Sequence, residues 1–167
     1  MGSMGSTDRP RISKARGPRP RNIARVEGLS YGDLDEHLGY VLRRAQLAGF
    51  EAFHQATAGV DIMPARYTAL VIIGANPGLL QSALGAALGT AQSGAMTLTD
   101  WVEKRGWLER RNRPEDARSW GLYLTRHGEA QLRELNQRVR ASDARFSGRL
   151  SARELVTLRA LLDKLTT

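Results

Sequence analysis

The sequence predicts a mainly α fold in which a helix-turn-helix and a two-stranded β-hairpin are flanked by terminal helices that form a dimerisation domain. Three observations carry this expectation. Apolar residues recur at helical spacing near both ends of the chain. Over 80–105 a short helix, a glycine turn and a second helix follow one another. The basic stretch "LERRNRPEDARSWGLYLT" at 108–125 then lies between two runs that alternate apolar and polar residues.

Composition bounds the rest. At 167 residues the chain is about one domain, near the size at which a helical protein often gains stability by pairing. Its net charge of +8 favours an anionic partner, nucleic acid foremost, although charge alone also fits a membrane surface or simple solubility. With no cysteine there is no disulfide framework, thiolate nucleophile or thiol switch. The three histidines, His37, His54 and His127, lack metal-ligand spacing and read as surface or internally satisfied residues. No apolar run approaches the roughly 20 residues of a membrane span, and the start has no signal-peptide core, so the expected location is cytoplasmic with no membrane partner.

Residues 1–28 begin with a tag-like "MGSMGS" and continue as a Pro, Gly and Arg-rich segment with little to bury. They read as a disordered basic tail, either solvated or serving as an arm that touches DNA. From Ser30 the period becomes 3.6, with Leu34, Leu38, Val41, Leu42, Ala45, Ala48 and Ala52 on one stripe. That predicts a first helix over 33–57 with Ser30 or Asp33 as N-cap, within a dimerisation segment spanning 29–60.

A lobe over 61–125 comes next. "PARYTALVIIGA" at 64–75 opens with Pro at a first-turn position and closes into "NPG", with Tyr67, Leu70, Val71 and Gly74 on one face. Helices are expected over 80–87 and 91–105, joined at Leu88-Gly89-Thr90, where Gly89 can take positive φ. The spacing fits a helix-turn-helix and equally an ordinary helical corner. The adjoining hairpin favours the former: a strand begins at Trp107-Leu108-Glu109, "NRPED" turns, and Ser119 to Leu124 return with Trp120, Leu122 and Leu124 on one face. Such a ribbon must pack on the preceding helices to be stable. A helix-turn-helix followed by a basic hairpin is the pattern of a winged helix. Arg110, Arg111, Arg113 and Arg118 would then sit where a projecting wing meets phosphates or the minor groove.

Residues 126–167 supply the closing helices. Thr125 can cap a helix running to about 147. "LSARELVTLRALLDKL" contains a capping box, Ser151 with Glu154, and a Leu150–Leu155 staple. Its stripe of Leu155, Leu158, Leu161, Leu162 and Leu165 is wider than a short helix needs for itself, and another subunit is its expected destination.

These residues, from about Leu34 to Leu165, resemble the MarR-type transcriptional regulators. The most specific part is Asp116-Ala117-Arg118-Ser119 followed by Leu122, Leu124-Thr125 and Gly128, which is similar to the family's D-x-R, hydrophobic strand and L-T-x-x-G. "NPGLLQSALGAALG" and "VEKRGWLERR" are similar too. The resemblance implies a homodimer, most simply a repressor, that reads a pseudo-palindromic operator in double-stranded DNA through two recognition helices. It places Gln92, Ser93 and Thr97 at base edges, Ser82, Thr90 and Arg105 at phosphates, and Arg118 on the DNA with Asp116 orienting it. Gly94 and Ala95 depart from the family's larger residues, Met63 and Leu80 replace its Ser or Thr helix caps, and Trp101 stands where a basic residue is frequent. Gly94 costs about 1 kcal/mol of helix stability relative to Ala. Two readings stand for Trp101, a packing residue or a wall near an effector pocket.

Relatives bind a small phenolic or carboxylic effector that lowers DNA affinity. His37, Tyr40, Arg44 and Ala48 share one face of the first helix, and an Arg beside a Tyr suits an aromatic carboxylate; Met63, Arg66 and Tyr67 would form the opposite wall. Against this stand simple ion pairing for Arg44 and a core position for Tyr67. "GYVLRRAQ" at 39–46 resembles members that answer to aromatic acids or their coenzyme A thioesters. No cofactor is implied. The other class to weigh is a non-specific or architectural nucleic-acid binder without an effector. An enzyme is not expected, since no nucleophile and base, paired-acid or phosphate-loop constellation is present.

Overall fold

The computed structural model describes residues 25–113 and 116–166, with 116–118 described as backbone only. A 3-10 turn at Gly32–Asp35 precedes α1 (Leu38–Ala56), α2 (Pro64–Ala75), α3 (Gln81–Ala87) and α4 (Gln92–Lys104). Then come β1 (Leu108–Arg113), β2 (Asp116–Leu124), α5 (Arg126–Phe146) and α6 (Ala152–Asp163). The mainly helical winged helix-turn-helix is therefore present. Most of the expected tail, the hairpin residues Pro114 and Glu115, and the side chains of Asp116 and Arg118 lie outside the described residues.

The first helix starts later than its periodicity predicts. Neither Ser30 nor Asp33 caps it: the Ser30 hydroxyl accepts the Gly32 N–H at 3.3 Å, and Asp33 falls within the 3-10 turn. Such a local bond competes with helix capping. His37, in an extended conformation, becomes the residue before α1 and offers no side-chain cap. Elsewhere the boundaries agree to within a residue or so, except that β2 starts at Asp116 rather than Ser119.

The core draws on every helix and strand from α1 to α5. Leu70 and Ile73 of α2, Leu84 of α3, Val102 of α4, Leu108 of β1, Leu122 of β2 and Leu135 of α5 are all buried and belong to one cluster. Each such side chain contributes about 1.5–3 kcal/mol by leaving water. β1 and β2 pair antiparallel from Leu108 opposite Leu124 to Asn112 opposite Trp120, with an irregularity between Asn112 and Arg113. Leu79 adds a short bridge to Leu122. Trp120, expected on the inner face with Leu122, is 61% exposed because the strand there extends past the edge of the core.

The T-x-x-G sequence has a local physical cause. α4 ends in a Schellman-type turn, with Gly106 at φ +68°, its N–H donating to the Glu103 carbonyl and the Trp107 N–H to that of Val102. The Thr125 hydroxyl donates to the Gly106 carbonyl at 2.7 Å and accepts the Gly128 N–H at 3.0 Å, so one side chain ties this turn to the start of α5. A Cβ on Gly128 would stand 1.9 Å from the Trp107 carbonyl oxygen. Only glycine lets the two backbones approach so closely.

α1 packs across α5, held by Phe53 and Val139 in the same core cluster and by the Ser142 hydroxyl donating to the Ala52 carbonyl at 2.9 Å. The Ser151–Glu154 capping box forms as expected. Yet α6 buries none of its residues, and Val156, Leu158, Leu161, Leu162 and Leu165 are exposed. With Leu42 and Phe50 of α1 and Phe146 of α5, Leu155, Leu158 and Leu162 of α6 border an open groove of about 950 Å³.

Candidate nucleic-acid interface

α4 is amphipathic in the sense a reading helix requires. Ala95, Thr99 and Val102 face the core, which turns Gln92, Ser93, Met96 and Thr97 outward. The turn before it is fixed by Gly89 at φ +60° and by the Thr90 N–H donating to the Gly85 carbonyl. Gly94 lies against that turn: a Cβ there would come within 2.3 Å of the Thr90 hydroxyl oxygen. Its missing side chain therefore serves packing, and Thr90 is half-buried above it. Ser82 is exposed on the first turn of α3. Leu80 and Met63 precede their helices in extended conformations without side-chain caps, as their types require.

The wing's arginines have unequal surroundings. Arg110, expected from the sequence to meet phosphate, turns back onto α4. It donates to Asp100 at 2.8 Å, to the Thr99 hydroxyl at 3.1 Å and, through its other terminal nitrogen, to Glu103. Thr99 is itself buried and donates to the Met96 carbonyl, so the wing is braced against the middle of the helix. Arg111 is exposed, stacked over the Tyr123 ring at 4.2 Å with Glu109 3.4 Å away. Arg113 is half-buried at the irregular end of the ladder.

Arg105 likewise has an internal engagement where a phosphate contact was expected. Its guanidinium lies 4.1 Å from the Trp101 ring centroid and 5.5 Å from that of Trp107, with Asp61 at 3.8 Å. Arg66 lies 4.2 Å from the Trp101 centroid. Trp101 is thus a packing residue between two guanidinium groups, an arrangement favoured by the ring's negative faces.

The six residues expected around an effector fall into two groups. His37 is exposed, while the Tyr40 ring lies 6.2 Å from that of Tyr31 and 5.9 Å from the Arg44 guanidinium. Tyr67 meets α1 at its other end, 5.5 Å from the Phe53 ring, and donates to Asn136 at 2.8 Å. Burial raises its hydroxyl pKa, with Asp143 adding to the effect and Arg140 opposing it. Arg66 sits on Trp101 and Met63 is exposed before α2. Tyr40 and Phe53 are thirteen residues apart, or roughly 20 Å along a helix.

Three features escaped the sequence reading: exposed Met96, exposed Trp120 and the acids that hold Arg110. Among the described residues no cluster of His, Asp or Glu could hold a metal, and no helix is long and apolar enough to cross a membrane.

The MarR family profile matches residues 60–119, the segment from just before α2 into β2. A putative transcriptional regulatory protein for the hcr operon of Thauera aromatica is 37% identical over 155 residues, covering 92% of either chain. The chain belongs to the MarR family. Among solved MarR-type structures, the repressor CouR bound to a 23-mer DNA duplex is similar at TM-score 0.78 and 34% identity, covering 83% of this chain and 99% of that one. CouR bound to p-coumaroyl-CoA is similar at TM-score 0.74 and 32% identity, covering 83% and 97%. This MarR-family chain is therefore a DNA-binding transcriptional regulator, with the wing and helix-turn-helix in the places such proteins require.

Proposed function

We propose that this regulator is a cytoplasmic repressor that binds a pseudo-palindromic operator as a homodimer and leaves it when an aromatic carboxylate or its coenzyme A thioester binds. The observation that carries the reading is α4, whose outward face is free of core contacts while its middle is braced by the wing through Arg110. A helix held in this way can enter a major groove without changing its angle to the wing. In this reading 61–125 is the DNA-binding lobe, and 29–60 with 126–167 form the dimerisation part. Gln92, Ser93 and Thr97 face bases. Ser82, Thr90, Arg111, Arg113 and Arg118 are assigned to phosphates, with Asp116 orienting Arg118. Exposed leucines on α6, continuous with the α1 groove, supply the surface a second copy would cover.

The effector assignment rests on Arg44 and Tyr40, with a shallow depression of about 350 Å³ bordered by Val41, Arg44, Ala45 and Ala48 beside them. Arginine pairs with carboxylate or phosphate through two parallel hydrogen bonds. The separation between this group and the Tyr67–Arg66 group favours a thioester over a free acid, since only the longer molecule reaches both. Release through a hundredfold loss of DNA affinity needs about 2.7 kcal/mol of differential binding.

The test is a binding titration of the dimer on the intergenic DNA beside its own gene, with random competitor, repeated with aromatic acids and aryl-coenzyme A thioesters. One compound should release a discrete complex from wild type, and Arg44→Ala should bind the same DNA but resist release. Equal binding to every duplex, indifferent to all compounds, would establish a non-specific architectural protein instead.

A further inference from the structure

We propose that Met96 and the methyl group of Thr97 form an apolar patch on α4 that reads the 5-methyl groups of thymine in the operator. The inference rests on the operator-binding reading above and adds which base the helix selects. Three observations support it. Met96 is 49% exposed although it sits in the middle of a helix whose neighbours Ala95 and Thr99 are fully buried. About half of a large apolar residue is thus left in contact with water in the middle of the helix. Next to it, the Thr97 hydroxyl donates to the Ser93 carbonyl at 3.0 Å. With its hydrogen committed to the backbone, the side chain offers its methyl group to whatever lies in front of the helix.

The third observation is the charge of the same face. Gln92, Ser93, Met96 and Thr97 include neither Arg nor Lys, the side chains that read guanine bidentately, and the first cation along α4 is Lys104 in its last turn. Asp100 and Glu103, the acids toward that end, are both engaged by Arg110. Gln92 can read adenine through its amide, and thymine is the one base that presents a methyl group in the major groove. An apolar patch one helical turn from a glutamine therefore suits a short A·T-containing step. Thymine recognition also explains why Met is present where a polar residue would be more soluble.

The experiment uses the full-length protein and a duplex selected from randomised DNA. Each thymine in the protected footprint is replaced in turn by deoxyuridine, which removes only the 5-methyl group. Wild type should lose about fourfold in affinity at one or two thymines in each half-site, the effect of uncovering one buried methyl. Met96→Ala should bind thymine and uracil duplexes alike at one of those positions, and Thr97→Ser, which keeps the hydroxyl, at the other. If wild type selects the operator but tolerates every uracil, the thymine assignment is overturned while operator binding stands. An equal loss by Met96→Ala on both duplexes also overturns it, and a wild type that prefers no sequence overturns both readings.

Discussion

The Arg110 guanidinium of the wing donates to the Asp100 carboxylate of α4 at 2.8 Å. Glu103, one turn further along α4, takes the other end of the same fork. Two acids and a buried threonine on one helix thus hold one cation on a neighbouring strand, and the pair is only partly exposed. Such a contact is stronger than a surface ion pair and fixes direction as well as distance.

Arg110 should therefore act by positioning the wing. Arg110→Ala is expected to weaken operator binding and reduce discrimination against random DNA without changing the dependence on salt. Arg118→Ala, assigned to a phosphate, should lower the salt slope by about one. Asp100→Asn combined with Arg110→Ala should show a coupling of about 1 kcal/mol. Titrations at several salt concentrations decide the matter: a slope that falls for Arg110→Ala would make it a direct phosphate ligand.

The close approach of Gly128 to Trp107 gives the second expectation. Adding one methyl group at 128 pushes Cβ into a carbonyl that already accepts the Thr125 N–H. Gly128→Ala should cost about 3 kcal/mol, toward the upper end for overpacking, and lower Tm by roughly 10 °C. Ala is a better helix former than Gly by about 1 kcal/mol, so propensity alone predicts the opposite sign. Calorimetry on the two proteins separates these: an unchanged or raised Tm would show that the backbones part easily.

Periodicity located α2, α5 and α6 well because each has a wide apolar stripe or a strong cap, as Ser151 and Thr125 do. It failed at α1, where the Ser30 hydroxyl is spent on Gly32. Gln92, Ser93 and Thr97 were legible as base-facing candidates through the family resemblance, and all three are exposed. Met96 was not, because an apolar residue at such spacing reads as core. Trp120 misled in the same way, since alternation says which face a side chain occupies but not where the core beneath it ends. The partners of Arg110 depend on how β1 lies against α4, and a run of arginines in sequence reads as solvated. Likewise Tyr67 meets α1 at Phe53 and not at Tyr40, a matter of interhelical packing that no local pattern contains.

The exposed α6 stripe leads to a third expectation. Leu158 and Leu161 lie in the helix that buries nothing within its own chain. Replacing either by Asp would place a charge in the proposed interface, where burying an unpaired carboxylate is costly. Leu158→Asp and Leu161→Asp should sediment as monomers at micromolar concentration and bind operator DNA much more weakly, while the lobe keeps its helical content. A dimer that persists in both variants would move the interface elsewhere.

Tyr67 provides a test by pH. Its hydroxyl donates to Asn136 and burial raises its pKa above the ordinary tyrosine value, so the folded state favours the neutral phenol. For a group whose folded pKa is raised, the stabilisation is fully present below the unfolded pKa, about 10 for tyrosine. It is lost as pH rises through the folded value. Tyr67→Phe removes the hydrogen bond and should cost about 1 kcal/mol at neutral pH. Above about pH 10 the wild-type advantage should shrink, because the phenolate can neither donate to Asn136 nor rest comfortably near Asp143. Urea melts of both proteins from neutral to alkaline pH measure this difference directly. Curves that remain parallel throughout would mean that Tyr67 ionises as freely in the fold as outside it, and that its contact with Asn136 does not govern its titration.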